Sequence, residues 1–237
     1  MTAWRLEVFD ELGSTSDLCA ERARAGAAAG LAVLALRQTA GRGSRGRVWQ
    51  APAGNLNLSV LLRPARPLAE AGMFSLLTGL AVAEALERFF APPATLKWPN
   101  DVLIGGAKLA GVLIDAAPLA GRLDWLVIGI GMNLRAAPEI AGRRTTSLAA
   151  HGVDVAPQPM AEAVLDRLAA WQEAPSAAII AAWLERGHPP GTALRIQTGG
   201  QVLEGAFAGL SPRGELLLRS KDRIDTINTG EVLLGQA

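Results

Sequence analysis

Apolar Trp4, Leu6 and Val8 alternate with Arg5, Glu7 and Phe9, which predicts a half-buried strand near the start of the chain. Gly13-Ser14-Thr15-Ser16-Asp17 follows as a turn and then helix-capping chemistry, with Ser14 and Asp17 at the spacing of a capping box. A helix carrying Leu18, Cys19, Arg22 and Ala25 is expected next, ended by Gly26 and Gly30. Residues 31–36 read as a compact apolar strand. Residues 37–55 lose all periodicity in a run rich in Gly, Arg, Ser and Pro, and 56–62 resume as an apolar strand before Pro64.

Met73, Leu76, Leu80 and Ala83 follow helical spacing, predicting a helix over 72–90 that packs on a sheet and is stopped by Pro92-Pro93. A short strand over 95–98 precedes 102–104 and 108–115, which Gly105-Gly106 would join as a hairpin, placing Lys108 within an apolar strand. Another apolar strand over 123–130 runs into Gly131-Met132-Asn133, and 160–171 and 176–184 read as helices. Beyond Gly187-His188-Pro189-Pro190-Gly191 come short strands over 193–196, 202–207, 215–218 and 224–227, closing with Val232-Leu233-Leu234, the pattern of a small all-β barrel. So small a unit is near the lower limit for independent folding and should pack on the rest. The expected class is α+β, with a mixed sheet and helices in domain 1–187 and a β domain over 188–237.

Composition narrows the function. Half of the 237 residues are hydrophobic, and 23 Lys plus Arg against 22 Asp plus Glu leave a net charge of +1, so no global field holds nucleic acid or an anionic membrane and any anion binding must be local. The single cysteine, Cys19, excludes an internal disulfide and a thiol cluster for zinc, and fits a reducing compartment. Charges interrupt the first ten residues, against a signal peptide, and no uninterrupted apolar run reaches the roughly eighteen residues of a spanning helix, so a cytoplasmic protein is expected.

Charge is nevertheless concentrated in one place. The stretch Gln38-Thr39-Ala40-Gly41-Arg42-Gly43-Ser44-Arg45-Gly46-Arg47-Val48-Trp49 holds three arginines, three glycines and no acid. Backbone N–H groups and guanidinium forks could there surround a phosphate or carboxylate, although a solvated flexible loop has the same composition. An RNA-binding Arg/Gly segment would need repetition and more stacking aromatics than Trp49. In Lys97-Trp98-Pro99-Asn100-Asp101 the proline ends a strand where Asn100 and Asp101 can project into a site or simply make a turn. Lys108 needs an anionic partner if buried, or a path to water for its ammonium. Asn133, at a strand exit, suits either a turn or a ligand contact.

Taken together, Gly13-Ser14-Thr15, Gln38-Thr39-Ala40-Gly41-Arg42-Gly43, Arg47-Val48-Trp49, Lys97-Trp98-Pro99-Asn100-Asp101, Lys108-Leu109-Ala110-Gly111 and Gly129-Ile130-Gly131-Met132-Asn133-Leu134 resemble, in order and spacing, the biotin protein ligases. Thr146-Ser147-Leu148 and the small C-terminal unit extend the resemblance across nearly the whole chain. It implies a ligase core like that of class II aminoacyl-tRNA synthetases with an SH3-like C-terminal domain. It also implies biotin and ATP as substrates, Mg2+ with the ATP, and transfer of biotin through biotinyl-5'-AMP to a lysine of the biotin carboxyl carrier protein of acetyl-CoA carboxylase or a related carboxylase.

By the same resemblance Ser14, Thr15, Ser16 and Gln38 would meet the ureido ring, with Gly111 offering backbone. Arg42 and the Gly41–Gly43 backbone, followed by Ser44 and Arg45, would close over the acyl phosphate, and Lys108 would contact the carboxylate and α-phosphate. Arg47, Trp49, Lys97, Asn100 and Asn133 would lie near the nucleotide, while Asp101 would orient or deprotonate the incoming lysine. Two positions depart from the family's pattern: Ser16 stands where Asn is common and Ser44 where many members carry Arg, a loss that Arg45 could make good at the same phosphate. The first strand begins by Trp4, leaving no room for the winged-helix domain of longer members, so no DNA partner is expected, nor a membrane, while a homodimer stays open. A lipoate or octanoate ligase or transferase, and a nonenzymatic carrier-binding module, are the alternatives. Intact Lys108, Arg42 and Asn133 argue against the second.

Overall fold

The computed structural model describes residues 3–221 and 223–233. The chain runs β1 (Arg5–Leu12), α1 (Thr15–Arg24), β2 (Leu31–Gln38), β3 (Leu56–Leu62), α2 (Met73–Leu86), β4 (Thr95–Lys97), β5 (Asp101–Ile104), β6 (Ala107–Leu119), β7 (Arg122–Met132), α3 (Pro157–Trp171) and α4 (Ser176–Arg186). A second group of strands follows: β8 (Ala193–Thr198), β9 (Gln201–Leu210), β10 (Leu216–Ser220), β11 (Arg223–Ile227) and β12 (Glu231–Leu233).

The first seven strands form one mixed sheet in the order β1-β2-β3-β7-β6-β5-β4, parallel only between β1 and β2. Strand β2 shows how this sheet is covered on both faces. Leu31 and Val33 meet Cys19, Ala20 and Ala23 of α1, while Ala32 and Leu34 join the larger core under α2, α3 and α4. Alternate residues must face opposite ways, so a strand apolar at every position is buried on both sides. Burial pushes the Cys19 thiol up to about 12, which keeps it protonated and unreactive at neutral pH.

The helix expected over 72–90 ends earlier, at Leu86, where Phe89 and Phe90 N–H both donate to the Leu86 carbonyl before the two prolines are reached. It is buried on all sides except at Glu84, because α3 and α4 cover the face turned away from the sheet. Leu68–Leu86 has the length and hydropathy of a membrane-crossing segment, but its residues from Met73 on, apart from Glu84, are buried in the core. At α1 the capping box is half made. Ser14 Oγ accepts from Asp17 N–H at 3.3 Å, whereas the Asp17 carboxylate accepts from Arg42. Gly105 and Gly106, with φ of 55° and 74°, turn β5 tightly into β6 and so fix the register at Lys108.

The expected small all-β unit is present as a five-stranded antiparallel sheet in the order β11-β10-β9-β8-β12, with β11 and β12 at opposite ends and unpaired with each other among the described residues. Strand β12 is three residues long, and its Val232 carbonyl accepts from Lys97 Nζ of the larger sheet at 3.3 Å. The expected strand residue Leu234 lies outside the described residues. Trp98 Nε1–H donates to the Gly214 carbonyl at 3.1 Å, a second polar tie between the sheets.

Phe207 and Trp183 enclose His188, whose Nε2 is buried without a hydrogen-bond partner among the described residues. Burial, and then the charge of Lys97, lower the pKa of this imidazole to about 4. The folded protein therefore favours neutral His188. Its contribution is complete above the ordinary value of about 6.5 and is lost as pH falls towards the folded value, roughly 2 kcal/mol by about pH 4.5. His188→Phe is expected to flatten the acid side of the stability curve, read as a smaller drop in thermal midpoint between neutral and mildly acid buffer. An unchanged drop would show that another group sets it.

Candidate functional site

Two cavities lie side by side at the basic loop. Thr15 N–H and Oγ1–H both donate to Gln38 Oε1, at 2.8 and 3.1 Å, and Gln38 Nε2–H donates to Asn57 Oδ1 at 3.2 Å. Thr15 and Ser16 each share a hydrogen bond with the Ser59 hydroxyl, at 2.7 and 3.0 Å. Asn57 and Ser59 stand two apart on β3 and so face the same side. Neither was singled out in the sequence, although two polar side chains at alternate positions of an otherwise apolar strand were the available signal. They fix Thr15, Ser16 and Gln38 as a polar wall.

Lys108 finds the partner its place in an apolar strand requires. Its Nζ lies 2.5 Å from Asp101 Oδ1, while Lys97 Nζ lies 2.7 Å from Asp101 Oδ2. Asp101 is only 7% exposed. Burial alone would push its carboxyl up, but the two ammonium groups together outweigh that and hold it below the usual carboxylate range. One carboxylate between two lysines leaves a net positive charge, and Lys108, the more exposed of the two, carries it to the cavity wall. The Lys108 main chain is fixed as well: its N–H donates to Arg144 O at 2.8 Å and its carbonyl accepts from Thr146 N–H at 2.9 Å.

The Trp49 indole lies across Gly131 and Gly111, 5.6 Å from Lys108 Nζ to the ring centroid. A Cβ on Gly131 would stand 2.3 Å from this ring, so glycine is needed there for close approach. Gly131→Ala is accordingly expected to displace Trp49 and weaken ligand binding at this cavity about tenfold or more, a change equivalent to about 1.4 kcal/mol. Titration followed by indole fluorescence reads it, and an unchanged affinity would remove Trp49 from the site. Among the described residues Trp49 Nε1 is itself buried without a hydrogen-bond partner, as is Asn133 Oδ1.

The sequence-selected residues divide between the cavities. Thr15, Ser16, Gln38, Arg42, Gly43, Ser44, Trp49, Asn100, Lys108 and Gly111 line the first. Ser44 and Asn100 also line the second, with Arg45, Arg47, Lys97 and Asp101. Ser14, Gly41 and Asn133 line neither. Ser14 caps α1, Gly41 lies where a Cβ would stand 2.6 Å from the Trp49 carbonyl, and Asn133 Nδ2–H donates to Thr146 O at 3.0 Å. Arg42 donates to Asp17 and Asp115, each at 2.8 Å, from the rim of the first cavity. Arg45 and Arg47 turn the other way, to Glu231 of β12. Arg45 thus lines the second cavity and not the first, where Ser44 offers no guanidinium.

The first cavity is a slot of about 50 Å³ narrowed by Trp49, and the second holds about 290 Å³. Lys108 and Arg42 line the first cavity together with the hydroxyl and amide groups of Thr15, Ser16, Gln38 and Asn57, which suits a ligand that carries both an anionic and a polar uncharged group.

This fold and site have relatives. The sequence profile of the biotin/lipoate A/B protein ligase family matches residues 9–133, and that of the biotin protein ligase C-terminal domain matches 191–235. The chain belongs to the biotin protein ligases. It is 34% identical to a biotin-acetyl-CoA-carboxylase ligase of Paracoccus denitrificans over 86% of this chain and 90% of that one. It is 36% identical to the ligase of the same description from Mycobacterium tuberculosis, over 98% and 90%. Among solved structures, the biotin protein ligase from Aquifex aeolicus in complex with biotin and ATP superimposes with a TM-score of 0.80 at 30% identity, covering 96% of this chain and 97% of that one. The Leishmania major enzyme in complex with biotinyl-5-AMP gives 0.67 at 28%, covering 98% and 99%.

Proposed function

We propose that this chain is an ATP-dependent biotin protein ligase that activates biotin as biotinyl-5'-AMP and transfers it to a lysine on the carrier protein or domain of a biotin-dependent carboxylase. The observation that carries this reading is that Thr15 and Gln38 line the same cavity as Lys108 and Arg42. The ureido ring would meet the former and the carboxylate the latter. Residues 1–187 would carry this chemistry and 188–237 would assist it.

In the first step a biotin carboxylate oxygen attacks the α-phosphorus of ATP, a P–O bond forms, and the bond to pyrophosphate breaks. Two anions must approach. One such pair at 4 Å costs about 1 kcal/mol in water but about 4 kcal/mol at an effective dielectric of 20, so a partly dry site needs fixed cations. Lys108 and Arg42 supply them, and Trp49 would border the nucleotide. Asn100, on both cavity walls, lies where the two substrates would meet. Magnesium would arrive with the ATP phosphates. Among the described residues no group of three or more His, Cys, Asp or Glu is placed to hold a metal.

In the second step the carrier lysine nitrogen attacks the acyl carbon, the new C–N bond forms, AMP leaves with the C–O electrons, and the amine releases its proton. Asp101 lines the second cavity and stays ionised, so its part is to orient the approaching amine and to hold Lys108, rather than to store the proton. Biotin-dependent exchange of labelled pyrophosphate into ATP, followed by the mass of a purified carrier domain, tests this reading. Exchange with biotin and a mass gain of one biotin are expected. Exchange with lipoate alone, or carrier binding without exchange, would overturn it.

A further inference from the structure

One carboxylate of the C-terminal sheet gathers three arginines. Glu231 on β12 accepts from Arg45 at 3.2 Å and from Arg47 at 3.1 and 3.2 Å, and it also pairs with Arg143. Its side chain is 16% exposed, much less than any of the three guanidinium groups, so the carboxylate is the buried hub and the arginines reach in to it.

The arginines come from two segments that both bear on the first cavity. Arg45 and Arg47 flank Gly46 in the loop whose Gly43, Ser44 and Trp49 line that cavity. Arg143 lies next to Arg144, whose carbonyl accepts from Lys108 N–H, and Thr146 of the same stretch donates to the Lys108 carbonyl. Arg45 also adopts φ of 60°, a left-handed conformation unfavourable for a side chain larger than glycine, and its guanidinium reaches both Glu231 and the Gln197 carbonyl. The loop is thus held in a strained form by contacts made on the C-terminal sheet.

We propose that Glu231 is a positioning residue, a latch through which the C-terminal sheet holds the basic loop and the 143–146 segment closed over the ligand cavity and so sets how long the activated intermediate is retained. A closed loop shields a hydrolysable anhydride, and its opening would let the intermediate leave. Because the three arginines are partly exposed, each ion pair is worth little alone, and the shared carboxylate is the element whose loss releases all three.

The retention part of this proposal rests on the ligase reading, but the closure part does not, and the experiment separates them. Glu231→Gln keeps the shape and removes the charge, and Glu231→Asp keeps the charge. In the full chain without ligand, limited trypsin digestion should cut after Arg45 and Arg47 about tenfold faster in Glu231→Gln, equal to about 1.4 kcal/mol of lost closure, and near the parent rate in Glu231→Asp. Thermal unfolding of both variants shows whether each is folded. With biotin and ATP, biotinyl-5'-AMP should leave Glu231→Gln about tenfold faster, as measured by chase with unlabelled biotin, and Glu231→Asp should restore retention. Equal cleavage of folded Glu231→Gln and parent would overturn the latch. Faster cleavage with unchanged release would confine it to loop order and overturn its part in retention. Absence of any adenylate from the parent would instead count against the ligase reading, with the cleavage result still deciding closure.

Discussion

Replacing Lys108 by alanine is expected to reduce biotin-dependent pyrophosphate exchange by a factor on the order of a thousand or more, about 4 kcal/mol of lost stabilisation, while leaving the protein folded. Both halves follow from Asp101. When Lys108 is removed, Asp101 keeps Lys97 at 2.7 Å, so no buried charge is left without a counterion and the fold loses little. What disappears is the cation facing the cavity, where a carboxylate must approach the nucleotide phosphate. Steady-state exchange and a thermal melt of the same sample separate these effects. Near-normal exchange in a folded variant would remove Lys108 from the reaction.

Asp101→Ala should behave in the opposite way, costing about 3–5 kcal/mol of stability because it leaves two lysines confined together without a counterion. Asp101→Asn retains the shape and two polar atoms, so its cost should be smaller, but the repulsion between the ammonium groups should still disturb Lys108. The pH dependence has a definite sign. Because the folded carboxyl is held below its ordinary range, its contribution is complete above that range and is lost only as pH falls through the folded value. Denaturant unfolding at neutral pH checks the magnitude, and a repeat in acid should bring parent and Asp101→Asn closer together. An Asp101→Ala protein as stable as the parent would show that the lysines find water instead of each other.

Much of this site was legible because its parts carry local constraints. Gly105-Gly106 fixes a hairpin and with it the position of Lys108; an ammonium in an apolar strand demands an anion, and Asp101 supplies it from the neighbouring strand. The family pattern then brought Gln38, Arg42 and Trp49 to the same cavity. Less visible was what depends on long-range packing. The spacing of Met73, Leu76, Leu80 and Ala83 indicated a helix with one buried face, but α2 is covered on nearly all sides because α3 and α4 arrive from far along the chain. Asn57 and Ser59 were hidden within a strand otherwise made for the core. The partner of Arg45 could not be read at all, since Glu231 lies 186 residues away on another sheet. The docking of β12 was equally hidden: Val232 accepts from Lys97 of the larger sheet and Glu231 pairs with Arg45 of the basic loop, both far away in the chain.

The central claim is that side chains from separate stretches of the chain converge on one vitamin, with Lys108 meeting its acid group. A crystal structure of the protein with biotin tests this most directly. The account expects the ureido ring against Thr15 and Gln38 in the first cavity, and the biotin carboxylate within hydrogen-bond distance of Lys108 Nζ. Biotin seated in the second cavity, or with its carboxylate turned away from Lys108 towards solvent, would contradict it.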